Sequence, residues 1–182
     1  MPKTIGPALV LWLLLTLTSL PAAAWSLSEV ESDVRSDYPT VEHITPSKIG
    51  QTEDRSDLLI FDVREKPEFT VSHISGAIQV DPNLGARSFL KRYGELAAGK
   101  KVIFYCSVGV RSSEMAVRFQ SALKAAGSRS VANLSGGIFR WHNEQRLLKN
   151  SNGPTDAVHP YNSNWGKLLT RQSKISYQAV GR

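Results

Sequence analysis

The chain of 182 residues contains one cysteine, within the run Cys106-Ser107-Val108-Gly109-Val110-Arg111. A cysteine thiolate is a strong nucleophile, and a lone cysteine forms no intramolecular disulfide. Cys106 is therefore either a reactive group or a buried residue that packs as a small hydrophobe. The cysteine count alone leaves both interpretations open.

The segments around this run favour the reactive interpretation. Lys101–Tyr105 is a short apolar run typical of a buried strand, and Arg111–Ala126 is an amphipathic segment that predicts a helix. A loop between them presents unpaired backbone N–H groups and the positive end of the helix dipole, which both favour an anion. Gly109 permits the positive φ that lets amides point inward, and Arg111 adds a positive charge at the rim. The loop is therefore predicted to stabilise a Cys106 thiolate or an anionic substrate.

Strands and helices are predicted to alternate along the rest of the chain. This alternation predicts an α/β fold with a mostly parallel sheet that helices cover on both faces. The polar segment Ser26–Thr40 is either a mobile lead-in or a short helix. The remaining predicted strands are Val41–Ile44, Leu58–Asp62, Ala77–Val80 and Val131–Leu134, and the remaining helices are Glu65–Ser72, Leu84–Leu96 and Ile138–Leu148.

Three separated motifs occur along the chain. The first comprises Phe61–Glu65, Glu68-Phe69 and His73–Ile78, the second is the loop Cys106–Arg111, and the third comprises Asn133–Ile138 and Trp141. Together they resemble the rhodanese homology domain. Ser72 and Ser75 stand where the family motif usually has glycine and proline. The resemblance extends over Gln51–Leu148 and implies a central parallel sheet flanked by helices on both faces.

The resemblance also implies a sulfurtransferase with Cys106 as the catalytic residue. The thiolate would take a sulfane sulfur from a small anionic donor such as thiosulfate, or from a thiol persulfide. The resulting persulfide would then pass the sulfur to cyanide, to a thiol or to a protein acceptor, without a metal or an organic cofactor. The substrate-binding residues that it implies are those of the loop, namely Ser107, Val108, Gly109, Val110 and Arg111.

The loop separates this resemblance from related groups. Phosphatases related to the family have a longer loop that makes room for phosphate, whereas the four residues between Cys106 and Arg111 fit the sulfurtransferase loop. Ser107 and Val108 occupy positions where several thiosulfate-using relatives have basic residues, which leaves a thiol persulfide or a protein partner open as donor. A sulfur carrier without turnover, a binding module and a redox sensor also stay open, since a reactive thiol is easily oxidised.

Three charged residues lie in the first motif. Asp62 and Arg64 are expected to form a buried pair that supports the neighbourhood of the loop, with substrate contact as the alternative. The same structural role is expected for Glu68.

Net charge and the N-terminus restrict partners and location. The net charge is +6, but the lysines and arginines are scattered, which favours small anions and does not favour nucleic acid. Lys3, the 13-residue apolar run Ala8–Leu20 and the small residues up to Ala24 have the form of a secretory signal peptide. The run is shorter than the roughly 20 residues of a membrane span, although an uncleaved anchor is the alternative.

The predicted organisation follows from these features. Residues 1–24 form the signal peptide, 25–50 a lead-in, 51–149 the rhodanese domain and 150–182 a C-terminal extension. The extension is expected to pack on the domain, with a partner-binding surface as the alternative. The mature protein is expected to be exported, to be periplasmic if the source is bacterial, and to have no stable membrane insertion after cleavage.

Overall fold

The computed structural model describes residues 25–50 and 55–179, and its centre is a parallel sheet. The strands are β1 (Glu42–Ile44), β2 (Leu58–Asp62), β3 (His73–Ile74), β4 (Ile78–Gln79), β5 (Lys101–Tyr105), β6 (Ser130–Leu134), β7 (Leu148–Asn150) and β8 (Gly153–Thr155). The helices are α1 (Leu27–Asp37), α2 (Pro46–Gly50), α3 (Lys66–Val71), α4 (Ala86–Ala97), α5 (Val110–Ala125), α6 (Gly137–Asn143) and α7 (Ser163–Gly166), with 3-10 turns at Arg55–Asp57 and Gln172–Lys174.

The central sheet has the strand order β1-β6-β5-β2-β4, and all of its strands are parallel. Side chains of a strand alternate between the two faces, so each strand contributes to two cores. In β5, Ile103 and Tyr105 pack with α1, α6 and the C-terminal segment, whereas Val102 and Phe104 pack with α4 and α5. The predicted α/β fold, with a parallel sheet flanked by helices on both faces, is confirmed.

The segment before the sheet is a helix rather than a mobile lead-in. Ser26 and Glu29 form a capping box: the Glu29 backbone N–H donates to Ser26 Oγ (3.2 Å), and the Ser26 backbone N–H donates to a carboxylate oxygen of Glu29 (2.7 Å). Val30 and Val34 are 4% exposed and fix α1 against the sheet.

The prediction of one helix over Ile138–Leu148 is wrong. Helix α6 ends at Asn143, and Gln145 has a φ of 57°, which a continuous helix does not permit. Leu148 is buried, but it lies in β7, where it pairs with Ile74 of β3. Leu148 therefore belongs to a second, antiparallel sheet of order β3-β7-β8 and not to the helix.

The described part of the C-terminal extension packs on the domain. Val158, Leu168 and Leu169 are buried and join the same core as α1 and α6. Nowhere in residues 25–50 and 55–179 is there a helix with the length and apolar character of a membrane span. The predicted signal peptide, residues 1–24, lies outside the described residues.

Candidate active site

Cys106 directly follows β5, the central strand of the sheet, and precedes α5. The carboxyl end of a parallel strand is where such sheets place their reactive groups. Cys106 is 1% exposed, yet it lines a cavity of about 190 Å³. The residue is therefore both buried and in contact with space that a small substrate can enter.

The loop after Cys106 directs a backbone amide at the sulfur. The Gly109 N–H donates to Cys106 Sγ over 3.1 Å. Gly109 has a φ of 112°, in the left-handed region that favours glycine, and it caps the 16-residue helix α5. An amide and a helix N-terminus at this distance stabilise negative charge on the sulfur.

The third motif forms hydrogen bonds to the backbone of the loop. The backbone N–H of Ile138 donates to the carbonyl of Cys106 (2.9 Å), and that of Phe139 donates to the carbonyl of Ser107 (3.0 Å). A Cβ at Gly137 would lie 2.7 Å from the carbonyl oxygen of Ser107, so only glycine permits this close approach. The first turn of α6 thus binds the loop carbonyls.

Arg111 is paired within the protein. Its Nη1 and Nη2 donate to the two carboxylate oxygens of Glu68 (2.9 and 3.0 Å), and Nη2 also donates to Ser107 Oγ (3.0 Å). The Ser107 hydroxyl donates to Glu68 Oε1 (3.0 Å), so the three side chains form a closed network. Helix α3, which carries Glu68, is thereby tied to both ends of the loop.

Charge in this network is balanced. Burial acts to raise the pKa of the Glu68 carboxyl, but the hydrogen bonds and charge of Arg111 outweigh burial and lower the pKa below its ordinary value. Burial acts to lower the pKa of Arg111, but the hydrogen bonds of Glu68 and the nearby negative charges raise it. Both groups are charged at neutral pH and compensate each other.

Asp62 and Arg64 form the buried pair that the first motif predicts. Arg64 donates from Nη2 to Asp62 Oδ2 (2.6 Å) and from Nε to Oδ1 (2.9 Å), and both side chains are 0% exposed. Arg64 Nη2 also donates to the carbonyl of Ser72 (2.7 Å). The pair ties the end of β2 to the end of α3 and so positions Glu68.

The C-terminal extension supplies one wall of the cavity over Cys106. Tyr161 and Trp165 line this cavity together with Val108 and Val110 of the loop. The Tyr161 ring lies under the guanidinium group of Arg111, with 4.8 Å between the guanidinium carbon and the ring centroid. Most of the surface that faces a substrate is thus apolar or aromatic.

The family model of the rhodanese-like domain matches residues 45–144 of this chain. The chain belongs to the rhodanese-like domain family. The match places it among rhodanese-domain enzymes, and it includes all three motifs, of which the loop of Cys106 is the second.

Curated relatives match 60% of this rhodanese-like protein. The chain is 31% identical to a tRNA uridine(34) hydroxylase of Bacillus pumilus over 111 residues, which are 60% of this chain and 33% of the relative. It is 32% identical to the enzyme of that name from Staphylococcus aureus strain Newman over 114 residues, 60% of this chain and 34% of the relative. The chain thus spans about a third of the length of these relatives.

A solved structure supports the fold. A thiosulfate sulfurtransferase from Pseudomonas aeruginosa superposes with a TM-score of 0.51 and 19% identity, over 81% of this chain and 26% of that one. At this identity the likeness supports the rhodanese fold alone.

The rhodanese-like site brings most of the sequence-predicted residues to one cavity. Cys106, Ser107, Val108, Val110 and Arg111 line it, and Gly109 contributes its amide to the sulfur. Within the described residues, no group of histidine, cysteine, aspartate and glutamate side chains is arranged to hold a metal ion. The sequence did not indicate a role for Tyr161 and Trp165 in the site. They lie more than 50 residues beyond Cys106, in an extension that contains no recognisable motif.

Proposed function

We propose that the protein is an exported sulfurtransferase that carries a sulfane sulfur as a persulfide of Cys106. One observation supports this most directly: the Gly109 N–H donates a hydrogen bond to Cys106 Sγ over 3.1 Å. Gly109 lies at the N-terminus of the long helix α5. The amide is placed to donate to the sulfur of a thiolate, which is the nucleophilic form of cysteine.

The proposed first step is attack on a sulfane sulfur. With thiosulfate as donor, the Cys106 thiolate forms a bond to the outer sulfur, the donor S–S bond breaks, and sulfite leaves with the electron pair. The product is a Cys106 persulfide anion. The total negative charge is unchanged, so the step needs no oxidant and no proton.

The second step transfers the outer sulfur to an acceptor. Cyanide or a thiolate attacks the outer sulfur of the persulfide, and the Cys106 thiolate is the leaving group. A thiol acceptor can be a small molecule or a protein. The loop amides stay in place in both steps and favour the anionic sulfur that each step produces. The proposal requires no metal and no organic cofactor.

Arg111 has a supporting role in this proposal. Its guanidinium group is hydrogen-bonded to Glu68 and Ser107, so it fixes the loop and adds little uncompensated charge. The backbone amides of Ser107 to Arg111 are then the main anion-binding groups, with Val108 and Val110 supplying apolar contacts.

The proposal is tested by sulfur loading and turnover. The purified protein and a Cys106→Ser variant are exposed to thiosulfate and, separately, to a thiol persulfide, and their intact masses are recorded. Thiocyanate production is followed after addition of cyanide. A mass gain of one sulfur atom and steady turnover, both absent in Cys106→Ser, are expected.

Other outcomes of this experiment identify the rival functions. Sulfur loading of Cys106 without turnover would show that the protein is a sulfur carrier and not an enzyme. If neither donor loads Cys106 and a separate treatment with peroxide oxidises it reversibly, the protein is a redox sensor.

A second candidate function is modification of a tRNA uridine. This candidate is favoured by the relatives that are named tRNA uridine(34) hydroxylase. The net charge of +6 is compatible with RNA binding. Two features argue against this candidate. The basic residues are scattered along the sequence, and the predicted signal peptide would export the protein from the compartment that contains tRNA. Mass spectrometry of tRNA nucleosides after incubation with the protein tests this candidate, and a modified uridine would establish it.

A further inference from the structure

The walls of the cavity over Cys106 come from two parts of the chain. Tyr161 and Trp165 come from the C-terminal extension, and Val108 and Val110 come from the loop. Inorganic thiosulfate is a small dianion without any apolar part. A cavity with these walls therefore offers more contact area than thiosulfate can use.

Cationic charge at this cavity is compensated. Arg111 is the one cation among the described residues that line it, and both of its terminal nitrogens are hydrogen-bonded to the Glu68 carboxylate. The Tyr161 ring covers the guanidinium group. A donor with two negative charges thus finds backbone amides but no unpaired cation.

The aromatic wall is held in place by local structure. The backbone N–H of Tyr161 donates to His159 Nδ1 (3.0 Å), and the Asn162 side chain accepts from the backbone N–H of Trp165 (3.0 Å). The Trp165 ring packs against Trp25, with 4.7 Å between ring centroids. Buried residues on either side, including Leu168, anchor the segment to the core. The wall is thus an ordered part of the site, and its rings are preorganised for contact with a substrate.

We infer that this wall selects sulfane-sulfur donors that carry an apolar group next to the transferred sulfur, namely organic persulfides and thiosulfonates, over inorganic thiosulfate. The inference rests on the proposed sulfurtransferase function and names its donor class. The apolar group R packs between Tyr161 and Trp165, while the sulfane sulfur reaches Cys106 Sγ.

The reaction with such a donor is balanced. The Cys106 thiolate attacks the outer sulfur of R–S–SH, and a new S–S bond forms at Sγ. The S–S bond of the donor breaks, and R–S⁻ leaves with its electron pair. The hydrogen stays on the transferred sulfur, so the products are a Cys106 persulfide and a thiolate.

The test compares three donors that share an –SO2–S⁻ unit and differ in the remaining group on its sulfonyl sulfur. This group is phenyl in benzenethiosulfonate, methyl in methanethiosulfonate and an anionic oxygen in thiosulfate, so the first two donors differ in apolar area at equal charge. Persulfide formation on the full chain is measured by intact mass and by release of sulfinate or sulfite. We expect kcat/KM to fall in that order, with benzenethiosulfonate at least about tenfold better than thiosulfate, the scale of discrimination that a small apolar pocket provides.

Variants then assign the preference to the wall. Trp165→Ala is expected to lower the ratio of kcat/KM for benzenethiosulfonate over thiosulfate about tenfold. Trp165→Phe, which keeps an aromatic ring against Trp25, is expected to retain most of the ratio. Leu147→Ala is the control, because Leu147 is 79% exposed and lies outside the cavity, and it is expected to leave the ratio unchanged. Thermal unfolding shows that each variant is folded.

The outcomes separate this inference from the function on which it rests. Loading of Cys106 by thiosulfate as fast as by benzenethiosulfonate would overturn the inference and leave the sulfurtransferase intact. An unchanged donor ratio in folded Trp165→Ala would also overturn it. Failure of all three donors and of a thiol persulfide to load Cys106 would overturn the proposed function itself.

Discussion

Glu68 of α3 and Arg111 of α5 are joined by two parallel hydrogen bonds of 2.9 and 3.0 Å, although 43 residues separate them in the chain. The carboxylate also accepts from the Ser107 hydroxyl and from the backbone N–H of Glu65, both at 3.0 Å. A bidentate arginine–carboxylate pair is among the stronger ion pairs in proteins. This pair fixes the arginine beside the cavity and neutralises it.

Glu68→Gln is expected to destabilise the protein, because it leaves the charge of Arg111 uncompensated in a partly buried position. The expected loss is about 1–3 kcal/mol, measured by urea unfolding. Glu144→Gln is the matched control: Glu144 pairs with Arg146 at the surface, and its loss is expected to cost about 0–1 kcal/mol. Equal effects of the two substitutions would contradict a special role for the Glu68 pair.

Stability is expected to depend on pH through Glu68. The pKa of this carboxyl is lowered in the folded protein from its ordinary value of 4.5, chiefly by Arg111 acting against burial. A depressed folded pKa contributes stability above the unfolded pKa, and this contribution is lost as the pH falls through the folded value. Urea unfolding between about pH 6 and about pH 3 should therefore show a smaller loss for Glu68→Gln than for the unsubstituted protein. Parallel pH profiles for the two proteins would refute this expectation.

Several elements follow from the sequence because their signal is local. Strands β2, β5 and β6 are short apolar runs buried on both faces, and the structure places them where those runs predict. Helix α5 follows from its length and amphipathic pattern, and its start is within one residue of the predicted Arg111. Gly109 follows from the need for a positive φ in a tight loop.

Other features depend on contacts that sequence periodicity does not encode. Strands β3 and β7 have two and three residues, too few for an alternating pattern, so the sequence predicts a helix at Leu148 where the structure has a strand. The pairing of Glu68 with Arg111 depends on the relative positions of helices α3 and α5 in the folded protein. Tyr161 and Trp165 reach the cavity only because the extension folds back on the domain.

Asp62→Ala is expected to be strongly destabilising, because Arg64 would remain fully buried without its partner. The cost of removing one member of a buried pair is about 3–5 kcal/mol, and urea unfolding measures it. Asp57→Ala is the control, since Asp57 forms an ion pair with Arg129 in which the two side chains are 51% and 45% exposed. That surface substitution is expected to cost about 0–1 kcal/mol. A loss below about 1 kcal/mol for Asp62→Ala would show that the buried pair is not essential for stability.

Gly109→Ala is expected to slow persulfide formation strongly and to lower the stability of the protein only moderately. Alanine at a φ of 112° is strained, and its Cβ would lie 3.2 Å from Asn133 Nδ2. We expect the loop to relieve this strain by a shift of its backbone, which lengthens the hydrogen bond from the amide to Cys106 Sγ. The strain is expected to cost about 1–2 kcal/mol in urea unfolding. Loss of a single anion-binding amide is expected to slow persulfide formation about 100-fold. Gly85→Ala is the control, because Gly85 has a φ of −70° and open space at its Cβ, and both measurements should stay unchanged. If Gly109→Ala forms the persulfide as fast as Gly85→Ala, the amide of Gly109 does not activate the thiol, and the proposed role of the loop is wrong.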